Sequence, residues 1–194
     1  SFYIGFIVAF AASFIALILS LGGFRNSNKA IFNLSTIGYA VPGSVLAVAL
    51  LLVFNFYFGI SITVLGIYGL FLCLLIRFIT PLIRYLDAAL LSMPEETLSA
   101  AMIFSKNSFR TFKNIYFPSL YSPLLLGFLV VFIEVVKEQP ATLLLRPVGF
   151  DTLSSKIYNF TSEGQWELAS TPSIAMIFLS LILVFILNSR VDSE

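Results

Sequence analysis

Five stretches of this chain are too long and too apolar to suit a water-soluble protein, and they constrain everything else. They lie at about residues 2–21, 35–56, 60–80, 120–138 and 172–188, each near the roughly 20 residues a helix needs to cross a hydrocarbon core. A backbone in lipid has to satisfy its own hydrogen bonds, so each run reads as a helix. Composition agrees. Of the 194 residues 59% are hydrophobic and only 11% are charged, against about 25% charged in an ordinary soluble domain. The expected fold is an all-α integral membrane protein, a five-helix transmembrane bundle forming a single domain over residues 1–194.

What the chain lacks narrows the function. It has no histidine, one cysteine (Cys73) and a net charge of +1. The commonest metal ligand and general base is missing, so no stable metal site and no catalytic centre are expected. The near-zero net charge gives no field for nucleic acid. No Gly-x-x-x-x-Gly-Lys-Ser/Thr loop occurs, so any ATP and its Mg would be held by a separate chain. Residue 1 is serine and the first apolar run follows at once, which reads as the C-terminal portion of a longer chain.

Lysine and arginine placement sets the expected orientation. Arg25, Lys29, Arg77, Arg84, Lys106, Arg110, Lys113 and Arg190 fall on one side, and Lys137, Arg146 and Lys156 on the other or at its edge. Eight against three makes the first side cytoplasmic. Residues 83–119 then form a cytoplasmic loop, and residues 139–171 an external segment.

The cytoplasmic loop is patterned. Ser92-Met93-Pro94-Glu95 reads as a helix start, with Ser92 as cap and Glu95 reaching back. A second short helix would carry Phe109, Phe112 and Tyr116 on one face and Lys106, Arg110 and Lys113 on the other, with Pro118 ending it. Physical reasoning leaves two roles open: an amphipathic hairpin on lipid headgroups, or a docking element for a partner protein.

Here the sequence resembles a known family. Ser99-Ala100-Ala101, Ser105, Ile115 and Phe117-Pro118 keep the spacing of the EAA loop of binding-protein-dependent ABC importer permeases, with Ser99 in place of Glu, Ser105 in place of Gly and Phe117 in place of Leu. Residues Gly38 to Ala47 look like the second-span signature of ferric-iron permeases. Lys137-Glu138-Gln139-Pro140-Ala141-Thr142-Leu143-Leu144-Leu145-Arg146-Pro147 is similar to a stretch of those permeases and departs from it only at Gln139. The resemblance implies a type I permease, most like the second half of a ferric-iron permease, in a bacterial inner membrane. It also implies partners: ATPase subunits docking at Ser99, Ala100, Ala101, Ser105, Lys106, Arg110, Ile115 and Pro118, a second permease half (fused or a second copy), and an external binding protein.

Two charge groups are candidate functional residues. Glu134, Lys137 and Glu138 lie at the expected outer end of the fourth run, and their i, i+3 and i, i+4 spacing allows one helix face. They could line a translocation path, the two glutamates offering oxygen ligands to a passing cation. Alternatively, Lys137 and Glu138 mark the span's end and snorkel to water. Beyond them, Pro140 should break the helix, Pro147-Val148-Gly149 should turn, and Asp151 should cap a helix bearing Leu153, Ile157 and Phe160. Arg146, Asp151, Lys156 and Glu163 are candidate docking charges for the binding protein.

The reading is therefore a permease subunit without chemistry of its own, for ferric iron. Thiamine, phosphonate and polyamine importers share the scaffold. A secondary transporter or channel fragment is the alternative from another class, and would need coupling residues half-way across the membrane.

Overall fold

The computed structural model describes residues 1–21, 37–59, 62–94, 96–97 and 108–191. Its regular elements are helical throughout: α1 (Phe2–Leu21), a 3-10 turn (Gly38–Ala40), α2 (Gly43–Phe58), α3 (Ile62–Leu91), α4 (Ser108–Thr111), a π turn (Phe112–Tyr116), α5 (Phe117–Lys137), α6 (Pro140–Leu145), α7 (Leu153–Ser162) and α8 (Trp166–Val191). Among the described residues four helices are long and apolar enough to span, and α2 is a shorter apolar helix.

The centre of the bundle is α1, α3 and α5. Lipid is as apolar as leucine, so close packing rather than escape from water holds such helices together. Accordingly α1 buries a stripe of small residues: Gly5, Ala9, Ala12, Ser13 and Ala16. A Cβ on Gly5 would stand 3.1 Å from the Phe132 ring and 3.2 Å from Val136. Phe2 meets Phe132 and Phe6 meets Phe128, so α1 and α5 run antiparallel. Likewise Gly127 of α5 lies under Leu82 of α3, with Leu70, Leu74, Phe78, Leu82 and Leu86 filling the interior. In contrast, only 11% of the most apolar window of α8 is buried within the chain. Its Phe178, Leu181 and Phe185 therefore face lipid or another protein.

Several run boundaries differ from the hydropathy expectation, each for a local reason. The second run is not one continuous helix. Pro42 stands before α2 in an extended conformation (φ −56°, ψ 137°), and the chain just upstream is the 3-10 turn. Around it Gly43 and Ala47 are buried, whereas Ala40 and Ser44 are exposed. Helix α3 continues past Thr80 to Leu91, after a joint at Gly66, whose φ of 26° and ψ of −119° are open to glycine. Pro118 does not end a helix. The wide π turn leads directly into α5, with Pro118 in the first turn where its missing N–H costs little. Helix α8 starts at Trp166, ahead of the expected 172, and takes Pro172 into its body.

One end of the bundle gathers Ser1, Gly66 and α7. The Leu153 N–H donates to Ser1 Oγ at 2.6 Å, and Pro147 packs 3.6 Å from where a Gly66 side chain would begin. Leu91 and the start of α5, which flank residues 92–116, lie toward the other end.

Candidate functional site: an ion pair between two broken helices

Arg77 sits in the body of α3 among apolar neighbours, Phe78 and Ile79 being buried. At about 1.5 Å per residue it stands about 16 Å from Gly66 and about 21 Å from Leu91. This corrects its expected place among the cytoplasmic charges. A charge at that depth needs a partner, and the partner is Glu138: Arg77 Nη1 donates to Glu138 Oε1 at 2.9 Å. The side chains are 20% and 6% exposed. The guanidinium also lies 5.2 Å from the Phe78 ring centroid, and Tyr39 meets that ring edge-on.

Glu138 therefore stands just past the end of α5 but faces inward and does not snorkel to water. Two breaks in the chain converge on it. Helix α5 stops at Lys137, and Glu138 leaves the helical conformation (φ −64°, ψ 122°). Pro140 then opens α6, where its absent N–H was unneeded anyway. The Ala141 N–H donates to Glu138 Oε1 at 3.2 Å, so the carboxylate also caps α6. The second break is the head of α2. A Cβ on Gly43 would overlap both Arg77 Nη1 and Glu138 Oε1. Only a glycine lets this backbone lie against the pair. Partial positive charge at the head of α2 favours the carboxylate there.

The Glu138 backbone is tied as well. Its carbonyl accepts from Thr142 Oγ1 at 3.1 Å and from Ser154 Oγ at 2.8 Å, which joins the break to α7. Thr142, Ser154 and Ser155 are all buried.

The expected shared face of Glu134, Lys137 and Glu138 is split. Glu134 and Lys137 pair with each other at 3.0 Å and are partly exposed, 31% and 43%. Glu138 turns inward because it lies past the last helical residue, where i, i+4 geometry no longer applies. Arg77 is the residue that sequence reasoning missed. The signal was present: one cation inside a run of apolar residues requires an anion at the same height.

Beyond the break, Arg146 and Asp151 form an ion pair. Arg146 also donates to Ser155 Oγ at 3.1 Å and Asn159 Oδ1 at 3.4 Å, clasping α7 along one face. Asp151 therefore does not cap α7. Thr152 does, its hydroxyl accepting from the Ser155 N–H at 3.2 Å while Ser155 Oγ accepts from the Thr152 N–H at 2.8 Å. The turn falls as read, the Phe150 N–H donating to Pro147 O at 3.1 Å around Gly149, and Gly164 takes a positive φ after α7. Lys156 and Glu163 are exposed.

Of the loop residues, Ser99, Ala100, Ala101, Ser105 and Lys106 lie outside the described residues, as does Glu95. Ser92 turns its hydroxyl back onto the Ala89 carbonyl at 3.0 Å. Arg110 is at the end of α4, Ile115 is half-buried in the π turn, and Pro118 is exposed in α5.

An apolar bundle with two interrupted helices meeting an internal ion pair defines a polytopic membrane protein of the permease kind. More particularly, the chain belongs to the family of binding-protein-dependent transport system inner membrane components, whose family model matches residues 4–192. It is a multi-pass protein of the bacterial inner membrane. It is 28% identical over 154 residues to the Fe(3+)-transport system permease protein FbpB 2 of Haemophilus influenzae, covering 77% of this chain and 29% of that protein. It is 29% identical over 124 residues to the ferric transport system permease protein FbpB of Actinobacillus pleuropneumoniae, covering 63% of this chain and 18% of that one. A second Haemophilus influenzae protein, named as the putative ferric transport system permease FbpB 1, is 28% identical over 135 residues, 69% of this chain and 21% of its own. The chain spans less than a third of the length of these curated relatives.

Proposed function

We propose that this chain is one permease half of an ATP-driven importer for ferric iron handed over by a binding protein. The substrate reading rests on the ferric-transport names of the three relatives. The geometry in support is the pair of interrupted helices, α2 and α5–α6, meeting part-way along the bundle. Non-helical backbone at membrane depth is tolerated only inside protein or beside a water-filled path.

In this reading residues 92–116 face the cytoplasm and meet the ATPase subunits through Ala100 and Ala101. ATP and Mg sit on those subunits, and this chain performs no chemistry. The α6–α7 end faces outward. The exposed Glu134–Lys137 pair of α5 looks toward the translocation path and the second half. Glu138 holds Arg77 and the Ala141 N–H on Oε1, so its first role in this reading is structural. Lys156 and Glu163 are the docking charges for the binding protein. Arg146 and Asp151 are engaged with each other and shape the loop instead.

The test is ATP-dependent uptake of labelled ferric iron by proteoliposomes holding the full-length permease, its ATPase and its binding protein. Uptake is expected in the parent and abolished when Ala100 and Ala101 are both replaced by Trp, with assembly intact. ATP-driven uptake of thiamine, a phosphonate or a polyamine instead would discard iron and keep the importer. Uptake driven by an ion gradient would make the chain a secondary transporter.

The surface charges divide in the same assay. Glu134→Gln should lower the rate at saturating binding protein. Lys156→Glu should raise the binding-protein concentration needed for half-maximal rate. Unchanged values would remove the respective role.

A further inference from the structure

We propose that the Arg77–Glu138 pair is a clamp that makes α3 and α5 move as one lever, so that it sets how tightly ATP turnover is coupled to transport. This rests on the importer reading above. The observation behind it is positional. Helices α3 and α5 are the two arms that enter and leave residues 92–116, the segment assigned to the ATPase. They run antiparallel, with Gly127 against Leu82 along the shared face. Arg77 and Glu138 close that face at its far end.

At the same point the clamp holds both helix breaks. Glu138 Oε1 caps α6 through the Ala141 N–H, its carbonyl takes the Ser154 hydroxyl of α7, and Gly43 brings the head of α2 onto the pair. A displacement of α5 delivered at residues 92–116 reaches α6 along the chain and α7 through the Ser154 bond to the Glu138 carbonyl, and the salt bridge ties α3 to that same point. Packing already fixes one point of register, where Gly127 lies under Leu82, and the ion pair adds a second some distance along the same face. An ion pair at membrane depth has one register, since separating it strands a charge. Arg77 is thus a positioning residue. Its Nη1 holds the Glu138 carboxylate, and Glu138 holds the breaks.

The experiment measures iron taken up per ATP hydrolysed, in the same proteoliposomes and with the full assembly, for the parent, Arg77→Gln, Arg77→Lys and Glu138→Gln. Arg77→Gln and Glu138→Gln are expected to lower the ratio by about tenfold or more, while hydrolysis stimulated by the binding protein stays within about twofold of the parent. Arg77→Lys keeps the charge and should recover most of the ratio. An unchanged ratio in Arg77→Gln, or uptake and hydrolysis falling in parallel, overturns the clamp. If the glutamine variants do not assemble, Gly43→Ala decides, since its methyl parts the pair while both charged residues stay: a lowered ratio supports the clamp, and a parental ratio makes the pair a folding element only. A parent that shows no ATP-dependent uptake would overturn the importer reading itself, a separate result.

Discussion

Replacing Gly43 with alanine should open the Arg77–Glu138 ion pair without touching either charged residue. The added methyl would fall on Arg77 Nη1 and Glu138 Oε1 together. Both atoms end flexible side chains, so they can swing away, and the cost is that of the lost pair and not of steric strain. Parting a buried pair leaves uncompensated charge and costs about 3–5 kcal/mol. Here the Arg77 side chain is 20% exposed, which places the effect toward the lower end. The measurement is the thermal midpoint of the purified protein in detergent, for Gly43→Ala, Arg77→Gln and the two together. The midpoint should fall in both single variants, and the double variant should fall little further, because each removes the same interaction. Additive losses would mean that α2 does not rest on the pair.

The second large effect is expected at Gly38, for a different reason. A Cβ there would overlap the Ile76 carbonyl oxygen and lie 3.0 Å from its carbon, both backbone atoms of α3. No side-chain end can yield, so α3 and the 3-10 turn would have to part. Forcing extra volume into a packed site costs about 1–3 kcal/mol and occasionally more. Alanine is otherwise the better helix former by about 1 kcal/mol, so the sign is informative. Gly38→Ala should lower the thermal midpoint, whereas a rise would show that the close approach of the turn to α3 is absent. Gly149 is the control position for a conformational effect alone: its φ is positive, yet nothing stands within 4 Å of a Cβ there. Alanine at Gly149 strains only the turn.

Hydropathy located the long runs well because transfer from water to lipid is a sum over residues and needs no knowledge of neighbours. Phe2–Leu21 is a helix over the span read from the sequence. The Lys137–Pro147 stretch and the loop spacing carried the resemblance that the family match sustains over residues 4–192. Proline and glycine placed the turn at 147–149 because their backbone restrictions are local.

Height within the bundle was another matter. The sequence by itself determined that this is an all-helical membrane protein of the importer-permease family, with three of its five apolar runs free of charge. Only the tertiary structure decided that Arg77 belongs inside rather than at the cytoplasmic rim, and that Glu138 faces it while Glu134 and Lys137 face away. It also decided that Thr152 caps α7, leaving Asp151 to hold Arg146. Those outcomes depend on which residues of different helices share a depth. Depth is set by where helices break and how they pack against one another, and a one-dimensional sum of transfer energies contains neither.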